Sequence, residues 1–155
     1  YFISAFAGIA AAVLLSGVFA VATVTGNGME PALDEGSTVV INKLAYEDNI
    51  PKVGNIIALK NNIYGEDGEG SVLIRRVAGS AEDTVEIKDN IFYLNGKPYF
   101  EHMNEAVNME DMKKVKLKDN QLFVLSDDRK ASLDSRDKAV GIVNISECIG
   151  KVCFR

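Results

Sequence analysis

The sequence lacks an excess of basic residues, a cysteine framework, a histidine cluster and any internal repeat, and each absence closes off a class of function. Lys and Arg number 17 against 22 Asp and Glu, a net charge of −5, which argues against nucleic acid as a partner. Cys148 and Cys153 bring no metal-ligand pattern with them. Five positions apart on an extended strand, they point to opposite faces. They read as apolar filler, with a disulfide as the minority alternative if this face is extracellular. No metal and no cofactor is expected.

Charge is also missing from Phe2 to Val24, where only Ser4, Ser16 and Thr23 interrupt an apolar run. At a rise of about 1.5 Å per residue such a run extends roughly 34 Å, enough to cross a bilayer core. A cleaved signal peptide has a shorter apolar core, and a buried helix of this length carries a polar stripe. Residues 1–25 are therefore expected to form one transmembrane helix. Since the chain opens on Tyr1 rather than Met, it reads as a fragment, and any basic residues that would set topology are not visible in it. Residues 26–155 have the length of one domain with its own core.

What is present after the span is β pattern. Gly26, Asn27 and Gly28 make a flexible exit. Short β-branched runs follow at Thr38–Ile41, Ile56–Leu59, Val72–Val77, Thr84–Lys88, Ile91–Leu94, Lys97–Phe100, Leu122–Leu125 and Val140–Ile145. Asp89-Asn90 and Asn95-Gly96 separate three of them, and Asn-Gly suits a type I′ hairpin turn. The Gly- and acid-rich stretch Tyr64–Gly70 and the polar stretch His102–Lys118 read as surface insertions.

Four segments then stand in a fixed order: Gly28-Met29-Glu30-Pro31-Ala32-Leu33; Pro51-Lys52-Val53-Gly54-Asn55-Ile56-Ile57; Arg75-Arg76-Val77-Ala78-Gly79; and Ser126-Asp127-Asp128 leading to Ser132-Leu133-Asp134-Ser135-Arg136 and Gly141. Together they resemble the type I signal peptidases of Gram-positive type, membrane-anchored serine proteases with a Ser/Lys dyad. The first is similar to Ser-Met-x-Pro-Thr-Leu, whose Ser is the nucleophile, and the third to Lys-Arg-Val-x-Gly, whose Lys is the base. The resemblance implies a mainly β, signal peptidase I-like domain preceded by one transmembrane helix. It places Gly28 at the nucleophile and Arg75 at the base. It makes Ser132, Asp134 and Arg136 supporting residues, Ser132 toward the lysine and the other two as a pair holding the walls. It gives Met29 and Pro31 to substrate binding.

The two departures matter chemically. Peptide hydrolysis of this kind needs a hydroxyl to attack the carbonyl carbon and a neutral amine to take its proton. Glycine offers no hydroxyl. Lysine reaches neutrality when burial depresses its pKa, whereas a guanidinium stays protonated to above roughly pH 12. Outside the motif, Gly28 would be a backbone device and Arg75 an ordinary strand charge. A Ser-x-Asp-x-Arg cluster serves equally as a fold-stabilising network. His102, the sole histidine, stands 27 positions beyond Arg75 and so cannot take the base's place as in the endoplasmic-reticulum branch; it reads as a surface residue.

The resemblance thus implies a non-cleaving relative that binds secreted or pilin precursors and assists pilus assembly as an accessory or chaperone. Its partners would be a signal peptide or pilin precursor, a sortase and membrane lipid. The location implied is the cell membrane, single-pass, with the domain on the extracellular side. The alternative is an authentic type I signal peptidase whose dyad was replaced by design.

Overall fold

The computed structural model describes residues 16–61, 71–102, 107–131 and 133–154. Over these residues the chain is almost entirely β. Eleven strands run in order: β1 Phe19–Thr23, β2 Thr38–Asn42, β3 Ile56–Asn61, β4 Ser71–Gly79, β5 Thr84–Lys88, β6 Ile91–Leu94, β7 Lys97–Pro98, β8 Met112–Lys116, β9 Gln121–Leu125, β10 Val143–Asn144 and β11 Cys148–Phe154. A seven-stranded sheet has the order β1-β2-β11-β3-β4-β9-β10, and a four-stranded one the order β7-β6-β5-β8. Every pairing is antiparallel.

The small sheet is written into its turns. Asp89 and Asn90 take φ of 53° and 64° between β5 and β6, and Asn95 and Gly96 take 51° and 77° between β6 and β7. Two successive positive φ values are what a type I′ turn demands, so both hairpins follow from residues that tolerate them. Pro98 ends β7 early, because proline gives the ladder no N–H.

Alternation along β4 and β9 distributes side chains among three cores. From β9, Leu122 and Val124 join Ile57, Leu59, Leu73, Val77 and Val143. Phe123 and Leu125 face the other way, toward Val85, Ile87 and Phe92 of the small sheet and Leu117 just beyond β8. Phe92 stacks on Phe123 at a centroid distance of 5.5 Å. Gly79 sits at this junction, where a Cβ would lie 2.7 Å from Val85 Cγ1, so the two sheets close only over glycine. The third core gathers Val24, Met29, Leu33, Val39 and Ile74 beneath the segment that follows β1.

Several expectations are corrected. The last part of the helix expected over 1–25 is strand: Phe19–Thr23 pairs with β2 from Phe19↔Asn42 to Thr23↔Thr38. An apolar run suits either structure, and the unpaired edge of β2 decides in favour of the strand. Residues 1–15 lie outside the described residues, and no helix among the described residues is long and apolar enough to cross a membrane. The polar stretch His102–Lys118 contains β8, with Met109 and Leu117 buried; its register shift against β5 hides the period-two pattern. β11 was not expected either, and it shifts register against both neighbours. Lys97–Phe100 shrinks to β7, and Val140–Ile145 to β10. Tyr64–Gly70 lies outside the described residues. Both cysteines are free thiols; Cys148 packs beside the second core, but Cys153 is exposed and fills nothing.

Candidate functional site

The site begins where β1 ends. Val24 N–H donates to the Ser37 carbonyl at 2.8 Å, and Gly36 N–H returns a bond to the Val24 carbonyl at 2.8 Å. Gly26 then turns the chain at φ 75°. Met29, only 1% exposed, plugs the third core and fixes Gly28 beside it. Asp128 N–H donates to the Gly28 carbonyl at 3.1 Å, which ties this segment to the loop after β9.

Arg75 comes up from β4 to meet it. A Cβ on Gly28 would lie 3.2 Å from each of Arg75 Cζ, Nη1 and Nη2, closer than ordinary van der Waals contact. The guanidinium therefore occupies the space next to the missing side chain. Its Nε donates to the Leu133 carbonyl at 2.7 Å and its Nη1 to the Ile74 carbonyl at 2.6 Å. Among the described residues no acceptor is recorded for Nη2. Burial pulls the Arg75 pKa down, against the opposing pull of Asp134, but a guanidinium starts too high to become a base.

Asp134 is fully buried and serves as a hub. One of its oxygens, Oδ2, accepts from Ser126 N–H and Oγ–H, both at 3.0 Å. Arg136 grips the carboxylate through Nε at 2.9 Å and Nη2 at 2.7 Å, and its remaining donors reach the Arg129 and Ala131 carbonyls. The expected Asp134–Arg136 pair is thus formed. Ser132 lies outside the described residues, between Ala131 and Leu133.

A second ion pair escaped the sequence reading. Arg76, on the opposite face of β4 from Arg75, forms a bidentate bridge to Asp127 at 2.7 and 2.5 Å and donates to the Gly54 carbonyl at 2.8 Å. Its signal was the second arginine of the Arg75-Arg76 segment. Arg129 is also buried and bonds the Ser126 carbonyl, leaving its Nε without a partner. The loop after β9 therefore gathers three buried carboxylates, Asp127, Asp128 and Asp134, and the guanidinia of Arg129 and Arg136 behind the cleft.

Of the two residues expected to touch substrate, Pro31 is exposed, whereas Met29 is chiefly a core anchor. His102 is exposed, near Gly54 and outside this cluster. A cleft of about 20 Å³ is lined by Val24, Thr25, Gly26, Met29, Val72–Ile74 and Arg75. It runs between the segment leaving β1 and the first half of β4, where β4 lacks a partner on its β9 side because that pairing starts at Arg76. A wider hollow of about 550 Å³ around Glu82 and Lys116–Asn120 has neither a nucleophile nor this enclosure. Among the described residues no cluster of His, Cys, Asp and Glu could hold a metal ion.

Comparison with known proteins places these features. The family profile described as signal peptidase, peptidase S26, matches residues 1–155. Signal peptidase IB of Staphylococcus aureus strain Mu50 is 30% identical over 154 residues, covering 86% of this chain and 75% of its own. Signal peptidase I of Bacillus caldolyticus is 32% identical over 152 residues, covering 89% of this chain and 79% of its own. A crystal structure of a signal peptidase I from Enterococcus faecalis superimposes with a TM-score of 0.51 at 24% identity, over 66% of this chain and 97% of that one, a likeness of fold.

Proposed function

Because the chain belongs to the signal peptidase family, peptidase S26, we propose that it is a member that holds precursor peptides without cutting them. One observation carries this reading: Gly28 and Arg75 meet side by side, where a hydroxyl and a neutral amine would be required for attack. Loss of such a catalytic unit lowers turnover by up to about 10⁶. The fit between the two residues favours a concerted exchange in a chain that has dispensed with cleavage. An arbitrary replacement of an active dyad would not need the larger head group to enter the space of the lost side chain.

The rest of the site supports holding. The Asp134–Arg136 and Asp127–Arg76 bridges stiffen the wall behind the cleft, and the unpaired half of β4 offers main-chain groups to an extended peptide. The client is a secreted or pilin precursor presented at the membrane, with a sortase as the enzyme served. The domain stands on the outer side, tethered by the apolar segment before β1.

The test is direct. The chain in detergent is incubated with a fluorogenic signal-peptide substrate, and a labelled version of that peptide is titrated by anisotropy. Saturable binding with no product above the blank is expected. Product that tracks the purified chain through chromatography would overturn the reading. In the native host, deletion of the gene should reduce polymerised pilin while leaving signal-peptide removal intact; unchanged polymers would remove the pilus role.

A further inference from the structure

We infer that the cleft is a carboxylate receptor, in which Arg75 binds the negatively charged end of an extended peptide. This rests on the non-cleaving reading above and specifies the ligand that such a site takes.

The donor is ready and underused. Arg75 is 8% exposed, and its Nε and Nη1 are engaged by the Leu133 and Ile74 carbonyls. These bonds lock the plane of the guanidinium, while Nη2, beside Gly28, has no acceptor among the described residues. An N–H beside the cleft that lacks an acceptor among the described residues is open to one brought in by a ligand, and an ionised acceptor gives the stronger bond.

The carboxylates within the protein are already committed. Asp134 is held by Arg136 and Ser126, and Asp127 by Arg76. Asp128 accepts from Asn27 and from Lys130 N–H, so the guanidinia of Arg75, Arg76, Arg129 and Arg136 stand against three buried carboxylates, Asp127, Asp128 and Asp134, and one positive charge is left over. An incoming anion would meet that excess.

The cleft also selects by size and shape. At about 20 Å³ it has room for a group near the size of one water molecule, which a small planar carboxylate approaches more closely than a large apolar side chain does. Its walls are two stretches of backbone, residues 24–26 and the unpaired part of β4, which suits an extended chain arriving alongside. Two sources present this chemistry: the free C-terminus of a peptide, or an Asp or Glu side chain within one.

Binding to the whole chain in detergent separates these sources. Three labelled peptides share one sequence: the first ends in a free carboxylate, the second is amidated, and the third is amidated with Asp at its last position. The free acid is expected to bind roughly ten- to a hundredfold more tightly than the amide. If the third peptide matches the first, a side-chain carboxylate suffices; if it matches the second, a free C-terminus is required. Arg75→Met should erase the acid-over-amide preference, and Arg75→Lys should retain part of it. Equal binding of acid and amide by the unaltered chain would overturn the carboxylate receptor while leaving the groove reading in place, and needs no variant to fold. Failure of all three peptides to bind would overturn both, and cleavage would overturn the non-cleaving reading together with the receptor that rests on it.

Discussion

Gly28→Ser is the most revealing perturbation, because the structure predicts that its effect depends on Arg75. Gly28 does not lie in the left-handed region, so a side chain meets no backbone penalty there; the conflict is only with the guanidinium, 3.2 Å from the new Cβ. Relief requires Arg75 to retreat by a few tenths of an ångström, yet its Nε and Nη1 are fixed to Leu133 and Ile74. Overpacking of this kind costs about 1–3 kcal/mol. Arg75→Lys alone surrenders the two fixed bonds and leaves a gap, on the order of 2 kcal/mol. Combined, the smaller ammonium head clears the space that the serine enters, and the double variant should be less destabilised than the sum of the singles by about 1–2 kcal/mol. Thermal melts of the four proteins in one detergent measure this coupling. Neither single change should cleave, since one lacks a base and the other a nucleophile; the double could regain weak activity. Strict additivity in stability would refute the volume exchange between positions 28 and 75. Cleavage by either single variant at the rate of the double would refute the assignment of the dyad positions.

Other sites give independent checks. Asp134→Ala leaves Arg136 without its buried counter-charge and frees Ser126, so a loss of about 3–5 kcal/mol is expected, read as a fall in melting temperature. Gly150→Ala drives a Cβ into the Asn42 carbonyl between β11 and β2 and should cost about 1–3 kcal/mol, or prevent folding; a neutral outcome would place β11 elsewhere. Burial raises the Cys148 thiol from 9.0 to about 11, so at pH 8 iodoacetamide should label exposed Cys153 well before Cys148. Because the folded thiol ionises later than the unfolded one, stability from this group is intact below about pH 9 and is lost as the pH climbs through about 11. Prompt labelling of Cys148 in the folded protein would contradict its placement.

Much of the central fold was legible because its signals are local. β5 and β6 were found at their observed bounds, since Asp89-Asn90 and Asn95-Gly96 announce turns whose φ values few other residues accept. β1, β8 and β11 were missed for a common reason, that each is decided by its partner. β1 lies in an apolar run that suits a helix, and β8 and β11 carry register shifts that break the alternation. For the site, motif order was enough to bring Gly28 to Arg75 and Asp134 to Arg136, residues far apart or differently paired along the chain. The Arg76–Asp127 bridge was not legible, because alternation turns Arg76 away from Arg75 but nothing in the sequence says that Asp127, 51 positions on, comes to meet it. The core role of Met29 was hidden in the same way.

The placement of β1 has a mechanical consequence. Any pull on the chain ahead of Phe19 enters the domain through this edge strand, and a pull along its axis loads the five antiparallel pairs with β2 together rather than one after another. Strands loaded in that way resist and then give as a unit. What gives next is the Val24 contact with Gly36 and Ser37, and after it the segment bearing Gly28. A load applied ahead of Phe19 would thus pass through β1 to the cleft segment, making a grip on a bound peptide sensitive to tension in the chain before the domain.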